Sequence, residues 1–127
     1  MHARVLTIAA IVSSVVLVGV AHAATLFSPV LHNFSSDLAF GCTVLNISGS
    51  TREVTFEIIT QYGRVLSGPF THTIPPGQAQ SEYTTDKVSA YCKVDTHGVA
   101  KSNFRGHFYI YTYSNSDVHT LLSVPLE

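Results

Sequence analysis

Apolar and polar residues alternate along several segments after residue 23, and this two-residue period constrains the fold more than any other feature. Two segments show it most clearly, with the apolar members Leu38, Phe40, Cys42 and Val44 in one and Val88, Ala90, Cys92 and Val94 in the other. A period of two is typical of a half-buried β-strand, whereas a helix repeats its apolar residues every three or four positions. The sequence therefore predicts an all-β fold.

Turn signals divide the chain from residue 24 to 127 into about seven or eight short strands. The clearest turn is Pro75-Pro76-Gly77, because Pro76 presets φ for the first central position of a type II turn and Gly77 accepts the positive φ of the second. Further strands are predicted near residues 54–58, 65–66, 70–74, 79–84, 104–113 and 119–124. This pattern favours a single antiparallel β-sandwich over a barrel.

The first 23 residues have the layout of a secretory signal peptide. Arg4 precedes an apolar run, and Ala21-His22-Ala23 forms a small-residue cleavage site. We expect a signal helix that is cleaved before Ala24, which places the mature domain, residues 24–127, in the periplasm or outside the cell. The alternative is an uncleaved membrane anchor, although a spanning helix needs about 20 apolar residues.

The chain has two cysteines, Cys42 and Cys92, and both lie in the mature part. An oxidising compartment lets such thiols form a stable disulfide. Each has the inward parity of its own strand, so a bond between them would join two facing sheets. Two buried free thiols are the alternative.

The chain resembles immunoglobulin-like and fibronectin-like sandwiches on this pattern. In antibody-type domains the bridged cysteines lie on the second and sixth strands, and a Trp on the third strand packs against the bond. Phe56 lies 14 residues after Cys42, near the position of that Trp, and the chain has no Trp. The run from Cys42 to Tyr91-Cys92 is also similar to that of small exported bacterial proteins. These resemblances imply the sandwich architecture and no particular activity.

The predicted strand 104–113 carries the candidate interaction surface. If Phe104, Phe108 and Ile110 face the core, the opposite side presents a cationic and aromatic row: Arg105, His107, Tyr109, Tyr111 and Tyr113. Tyr and Arg are enriched where proteins bind partners, and such rings also stack on sugars. The leading functional hypothesis is a binding or structural interaction module with an unknown protein or glycan partner. For this row itself, stabilisation of the sheet by the tyrosines is favoured over a binding surface.

Charge and motif spacing argue against several other functions. Because only Arg4 among the seven Lys and Arg lies in the signal, the mature part has six basic against eight acidic residues and no basic cluster. Nucleic acid and a membrane surface are therefore not expected as partners. No catalytic or cofactor motif is present, so we predict neither an enzyme nor a cofactor.

Two alternatives remain open, namely metal binding through scattered histidines and a cell-surface hydrolase with an unrecognised site. The mature histidines are His32, His72, His97, His107 and His119, and their spacing matches no metal motif. His72 shares parity with Phe70 and Ile74, which favours a hydrogen-bonded core position. Asn33-Phe34-Ser35 and Asn46-Ile47-Ser48 match the glycosylation sequon, which matters only in a eukaryotic secretory pathway.

Overall fold

A computed structural model describes residues 24–113 and 118–127 of the chain. The predicted signal peptide, residues 1–23, lies outside these ranges. The described residues form nine strands and one short 3-10 turn, Lys101–Asn103. The strands are β1 (Thr25–Phe27), β2 (Leu31–His32), β3 (Leu38–Asn46), β4 (Arg52–Thr60), β5 (Val65–Ile74), β6 (Ala79–Thr84), β7 (Ser89–Asp95), β8 (Phe104–Thr112) and β9 (His119–Pro125).

The strands form two antiparallel sheets that pack face to face, as the alternation predicts. The first sheet has the order β1-β7-β4-β5, with β2 also paired to β7, and the second has the order β6-β3-β8-β9. Two details differ from the sequence prediction. The short strands β1 and β2 were not anticipated, and β5 is one continuous strand because an irregularity in its register with β4 accommodates Gly68 and Pro69.

The strand order distinguishes this sandwich from constant-type immunoglobulin domains. In those domains the strand that follows the second cysteine strand lies in the same sheet as that strand. Here β8, which follows β7, pairs with β3, the first cysteine strand, while β1 and β2 pair with β7. The shared features are therefore the two-sheet architecture and the bridged cysteine strands.

The core lies between the sheets, and the disulfide crosses its middle. Cys42 on β3 and Cys92 on β7 are both fully buried and are bonded, with their Cα atoms 6.2 Å apart. Phe40 and Phe108 stack beside them with ring centroids 5.1 Å apart. Phe56, at the position near the expected Trp, is also fully buried. The predicted pairing of the cysteines across two layers is confirmed.

Two buried asparagines fasten the ends of β3. Asn33 donates from Nδ2 to the carbonyls of Leu38 and Asp86, and Asn46 donates from Nδ2 to the carbonyls of Ser50 and Ile74. Each also accepts a hydrogen bond at Oδ1 from the backbone N–H two residues further on, as in an Asx-turn. Both side chains have no exposed surface. The two sequons therefore have a structural role, and a glycan on either amide is incompatible with this fold.

Turn chemistry follows the sequence closely at two sites. The N–H of Gln78 donates to the carbonyl of Pro75, and Gly77 has a φ of 73°, so the predicted type II reversal joins β5 to β6. His97 and Gly98, which follow β7, both have positive φ. These turns define where neighbouring strands begin, and they position β6 and β8 in the second sheet.

Hydrogen bonds join the two sheets at both lateral edges of the sandwich. On one side His72 of β5 hydrogen-bonds through Nε2 to Glu82 of β6, and its ring lies edge-on to Phe56. On the other side Phe27 and Glu127 exchange two backbone hydrogen bonds. The predicted hydrogen bond of His72 is confirmed, but its predicted core position is wrong, because 28% of the side chain is exposed at the edge of the sandwich.

Candidate functional site

The outer side of the second sheet carries the row predicted on β8. Phe104, Phe108 and Ile110 are buried between the sheets. Arg105, His107, Tyr109 and Tyr111 have the opposite parity and face outward, and Tyr113 follows the strand with 45% of its surface exposed. The predicted orientation of this row is therefore confirmed.

Strand pairing adds a tyrosine that the sequence analysis missed. Tyr83 on β6 lies opposite Gly41 of β3, whose other neighbour is Tyr109 of β8. The Tyr83 and Tyr111 rings meet edge-on with centroids 5.8 Å apart. We call the set Tyr83, His107, Tyr109, Tyr111 and Tyr113 the aromatic face. Tyr83 shares outward parity with Ala79 and Ser81, but only the order of strands brings it next to β8.

The rings of the aromatic face form a connected series along β8. The centroids of His107 and Tyr109 are 4.9 Å apart, and those of Tyr109 and Tyr111 are 5.6 Å apart. Because alternate residues on one side of a strand lie roughly 7 Å apart, these rings lean towards one another rather than standing upright. The rings of His107, Tyr109, Tyr111 and Tyr83 therefore form a connected aromatic surface that reaches from β8 across β3 to β6.

Small residues of β3 lie beneath this surface. Gly41 and Ala39 have outward parity, opposite Tyr109 and Tyr111, and both are buried. A Cβ atom at Gly41 would lie 2.3 Å from Cζ of Tyr109, so this ring occupies the space above the glycine. A glycine leaves room for the ring in this position, and any larger side chain would displace it.

Hydroxyl groups form a hydrogen-bonded chain at the border of the aromatic face. Oγ1 of Thr43 lies 2.6 Å from Oγ of Ser81 and 3.2 Å from the hydroxyl of Tyr109. The Tyr113 hydroxyl donates to the carbonyl of Ser36, 2.8 Å away. The aromatic face therefore combines apolar ring area with hydroxyls that can both donate and accept hydrogen bonds.

Burial sets the electrostatic character of the two central tyrosines. Partial burial raises the pKa of the Tyr109 phenol above its ordinary value of 10.0, and a hydrogen bond from Thr43 opposes this in part. Burial also raises the pKa of Tyr111, and repulsion from the neighbouring phenols adds to the increase. Both phenols are therefore neutral at physiological pH, and they stay neutral further into the alkaline range than an isolated tyrosine.

Among the described strand residues that face outward on the second sheet, Arg105 alone carries a fixed charge. Across the described parts of β3, β6, β8 and β9 the outward residues include no carboxylate, since Glu82 turns inward to His72. Arg105 lies at one end of the row, with Nη1 bonded to the carbonyl of Phe104. The centre of the aromatic face is uncharged.

The histidines do not converge. His32 contacts Ser89, His72 contacts Glu82 and His97 contacts Thr55, each in a different part of the fold. Among residues 24–113 and 118–127 no group of three or more His, Cys, Asp or Glu side chains is placed to hold a metal ion. Within these described ranges, the geometry gives the metal-binding alternative no support.

A shallow depression of about 260 Å³ lies at the far end of the first sheet. It is lined by Thr60, Gln61, Tyr62, Arg64, Val88 and Ser89. Oγ of Ser89 lies 2.7 Å from Nδ1 of His32, but within the described residues no carboxylate contacts the other nitrogen of that ring. A nucleophilic serine needs a base that is oriented by a third group, so this pair gives the hydrolase alternative little support.

Comparisons with known proteins show a similarity of fold and nothing more. The sequence matches no protein-family model and no curated protein. A solved structure with a similar fold is the crystal structure of Thermotoga maritima 1070, with a TM-score of 0.56 and 9% sequence identity. The alignment covers 83% of this chain and 93% of that chain. In the described part of the chain, no helix has the length and apolar character needed to cross a bilayer.

Proposed function

We propose that this protein is an exported binding module, secreted or periplasmic, that holds its partner on the aromatic face. The observation that carries the proposal is the series of rings that connects Tyr83 on β6 with Tyr111, Tyr109 and His107 on β8. Tyr83 is 53% exposed, and Tyr113, which follows β8, is 45% exposed. Tyrosines provide a large, rigid contact area with a polar tip, and few other residue types are as enriched at binding surfaces.

Sheet stabilisation alone is a weaker explanation of the same residues. Cross-strand aromatic pairs contribute about 0.2 to 1 kcal/mol each without a partner, and Tyr109, above Gly41, serves the sheet in this way. Tyr83 and Tyr113 add less, because about half of each side chain remains in water. Their exposure leaves apolar area that a partner would cover.

The export component of the proposal has two supports. The layout of residues 1–23 is that of a signal peptide, and the Cys42–Cys92 disulfide is of the kind that persists in oxidising compartments. Mass spectrometry of the protein from the extracytoplasmic fraction tests this part. The expected mature chain begins at Ala24, and a chain that keeps residues 1–23 in that fraction would contradict cleavage.

A capture experiment with matched variants tests the binding role. The immobilised protein is exposed to the extracytoplasmic fraction of its source, and both protein and carbohydrate are analysed after elution. The test variant is Tyr83→Ser with Tyr113→Ser. The control is Phe27→Ser with Tyr91→Ser, which removes an aromatic pair with centroids 6.3 Å apart from the outer side of the other sheet.

We expect at least one component to be retained by the wild-type protein and the control and lost by the test variant. Circular dichroism and thermal unfolding verify that both variants are folded. If the test variant retains the same components as the wild-type protein, the aromatic face is not the binding surface. If the wild-type protein retains no component specifically, the proposed binding role is wrong.

A further inference from the structure

We infer that the ligand of the aromatic face is a neutral polysaccharide of equatorially linked pyranose units, stacked on the rings along β8. This inference rests on the proposed binding role and specifies its ligand. Three features support it: the orientation of the Tyr109 ring, the arrangement of its neighbours, and the uncharged hydroxyl chain beside them.

The Tyr109 ring turns one face to the sheet, and its side chain is half-buried. The Cβ position of Gly41 lies 2.3 Å from Cζ, 2.5 Å from Cε2 and 2.6 Å from the hydroxyl oxygen of Tyr109. If this Cβ position lay in the plane of the ring, outside its edge between Cε2 and the hydroxyl oxygen, it would be closer to those two atoms than to Cζ. Because Cζ is the nearest atom, the glycine position lies beneath the ring face, and the ring is laid flat over β3.

A flat aromatic ring is suited to a sugar with its C–H groups on one side. The face of an aromatic ring has negative potential, so it attracts the weakly positive hydrogens of C–H bonds. An equatorially linked pyranose whose hydroxyls are also equatorial, as in glucose, directs those hydroxyls to the rim and its axial C–H bonds to the two flat sides. A ring that stood on edge would offer no such platform.

The neighbouring rings extend this platform in one direction. His107 and Tyr111 flank Tyr109 along β8, with centroids 4.9 and 5.6 Å from it and interplanar angles of 37° and 46°. Tyr83 meets Tyr111 at 75° and adds a ring on the β6 side. A row of tilted rings suits an extended chain more than a single small molecule.

The polar groups beside the row match hydroxyls and lack a charge. Thr43, Ser81 and the Tyr109 hydroxyl are linked by hydrogen bonds of 2.6 and 3.2 Å. Hydroxyls of this kind exchange donor and acceptor roles, as sugar hydroxyls do. An acidic polysaccharide would need several cations, whereas the strand positions of this side provide Arg105 alone, at the end of the row.

Calorimetric titration of the folded protein with defined hexasaccharides tests the inference. The probes are cellohexaose and chitohexaose, which are neutral and equatorially linked, and maltohexaose, which is neutral but has axial linkages. We expect saturable binding of at least one equatorially linked probe and at least tenfold weaker binding of maltohexaose. Polygalacturonate serves as the acidic comparison.

Two variants locate the binding. Tyr111→Leu should weaken binding of the hexasaccharide at least tenfold, which corresponds to about 1.4 kcal/mol. Tyr91→Leu, the matched change on the outer side of the other sheet, should leave binding within twofold of the wild-type value. Equal effects of the two changes would overturn the inference, as would binding that is confined to polygalacturonate.

The outcomes separate this inference from the binding role on which it rests. If none of the neutral hexasaccharides binds but the capture experiment retains a protein through the aromatic face, the polysaccharide inference fails and the binding role stands. If the capture experiment also fails, both are wrong.

Discussion

Asn33 and Asn46 show how much one buried amide can contribute at the end of a strand. Asn46 uses both of its donor hydrogens, on the carbonyls of Ser50 and Ile74, and accepts from the backbone N–H and the hydroxyl of Ser48. Asn33 has a similar role before β3 begins. Because these amides satisfy carbonyls that are shielded from water, they replace solvent where strands separate.

Replacement of Asn46 by Asp should therefore be costly. A carboxylate has no N–H to donate, so two carbonyls lose their partner and a charge is buried. We expect Asn46→Asp to lower the free energy of unfolding by about 2 to 4 kcal/mol, measured by urea denaturation. Asn103→Asp is the control, because the Asn103 side chain makes a single hydrogen bond, to the carbonyl of Ala100, at an exposed position. Similar losses in the two variants would contradict the role assigned to Asn46.

The phenols of the aromatic face make a second prediction at this scale. Because burial raises the pKa of Tyr109 and Tyr111 in the folded protein, the midpoints of their ionisation should lie above the ordinary value of 10.0. In the unfolded chain both ionise around the ordinary value, so the unfolded state releases protons first and the free energy of unfolding falls as pH rises beyond it. Absorbance titration of wild-type protein and the Tyr109→Phe variant checks this. Ionisation of all tyrosines at the ordinary value would contradict it.

At the scale of the strand, two glycines differ in what surrounds them. A Cβ atom at Gly41 of β3 would meet the end of the Tyr109 side chain, which can rotate away. A Cβ atom at Gly68 of β5 would lie 2.3 Å from the backbone oxygen of Phe56, and the φ of 96° is unfavourable for any other residue. The backbone of β4 at Phe56 cannot move aside as the Tyr109 side chain can.

Substitution of each glycine by Ala should separate these cases. We expect Gly41→Ala to lower the free energy of unfolding by about 1 kcal/mol and to displace the Tyr109 ring, seen as shifts of its NMR signals. Gly68→Ala should cost about 3 kcal/mol or more and leave the Tyr109 signals unchanged. A Gly41→Ala variant with unperturbed Tyr109 signals would show that the ring does not lie over β3.

Strand prediction from this sequence succeeded where a regular pattern or a strong turn was present. The alternation in β3, β7 and β8 is long enough to define both position and inward side, and Pro76 and Gly77 define the reversal before β6. β1 and β2 have three and two residues, too few for a period to be seen. The separate strands predicted near 65–66 and 70–74 are one strand, β5, because an irregular register with β4 retains Gly68 and Pro69.

For the molecule as a whole, the order of strands is what the sequence did not provide. Alternation indicates which residues share a side of one strand, but it does not indicate which strands are neighbours. Tyr83 was missed as a member of the aromatic face for this reason, since it lies 26 residues before Tyr109 in the chain. The cysteines were an exception, because a covalent bond between inward residues implies that their sheets face each other.

The disulfide should decide the stability of the whole domain. It closes a loop with a sequence separation of 50, for which the chain-entropy model gives about 4 kcal/mol. Single domains have about 5 to 15 kcal/mol in total, so reduction removes a large share of this. We expect a reductant to lower the urea midpoint of the wild-type protein strongly and to leave a Cys42→Ala, Cys92→Ala double variant unaffected. Two thiols that alkylate in the native, unreduced protein would contradict the bond.

The two closed margins and the disulfide also determine how this molecule would meet a ligand. His72 with Glu82 on one side, Phe27 with Glu127 on the other and the bond in the middle hold the layers at three separate places. We expect layers that are joined at these places to resist sliding, so that a ligand would meet a preorganised surface. Association would then require little ordering of the backbone. Mutations far from the rings should alter affinity only when they weaken one of these three contacts between the sheets.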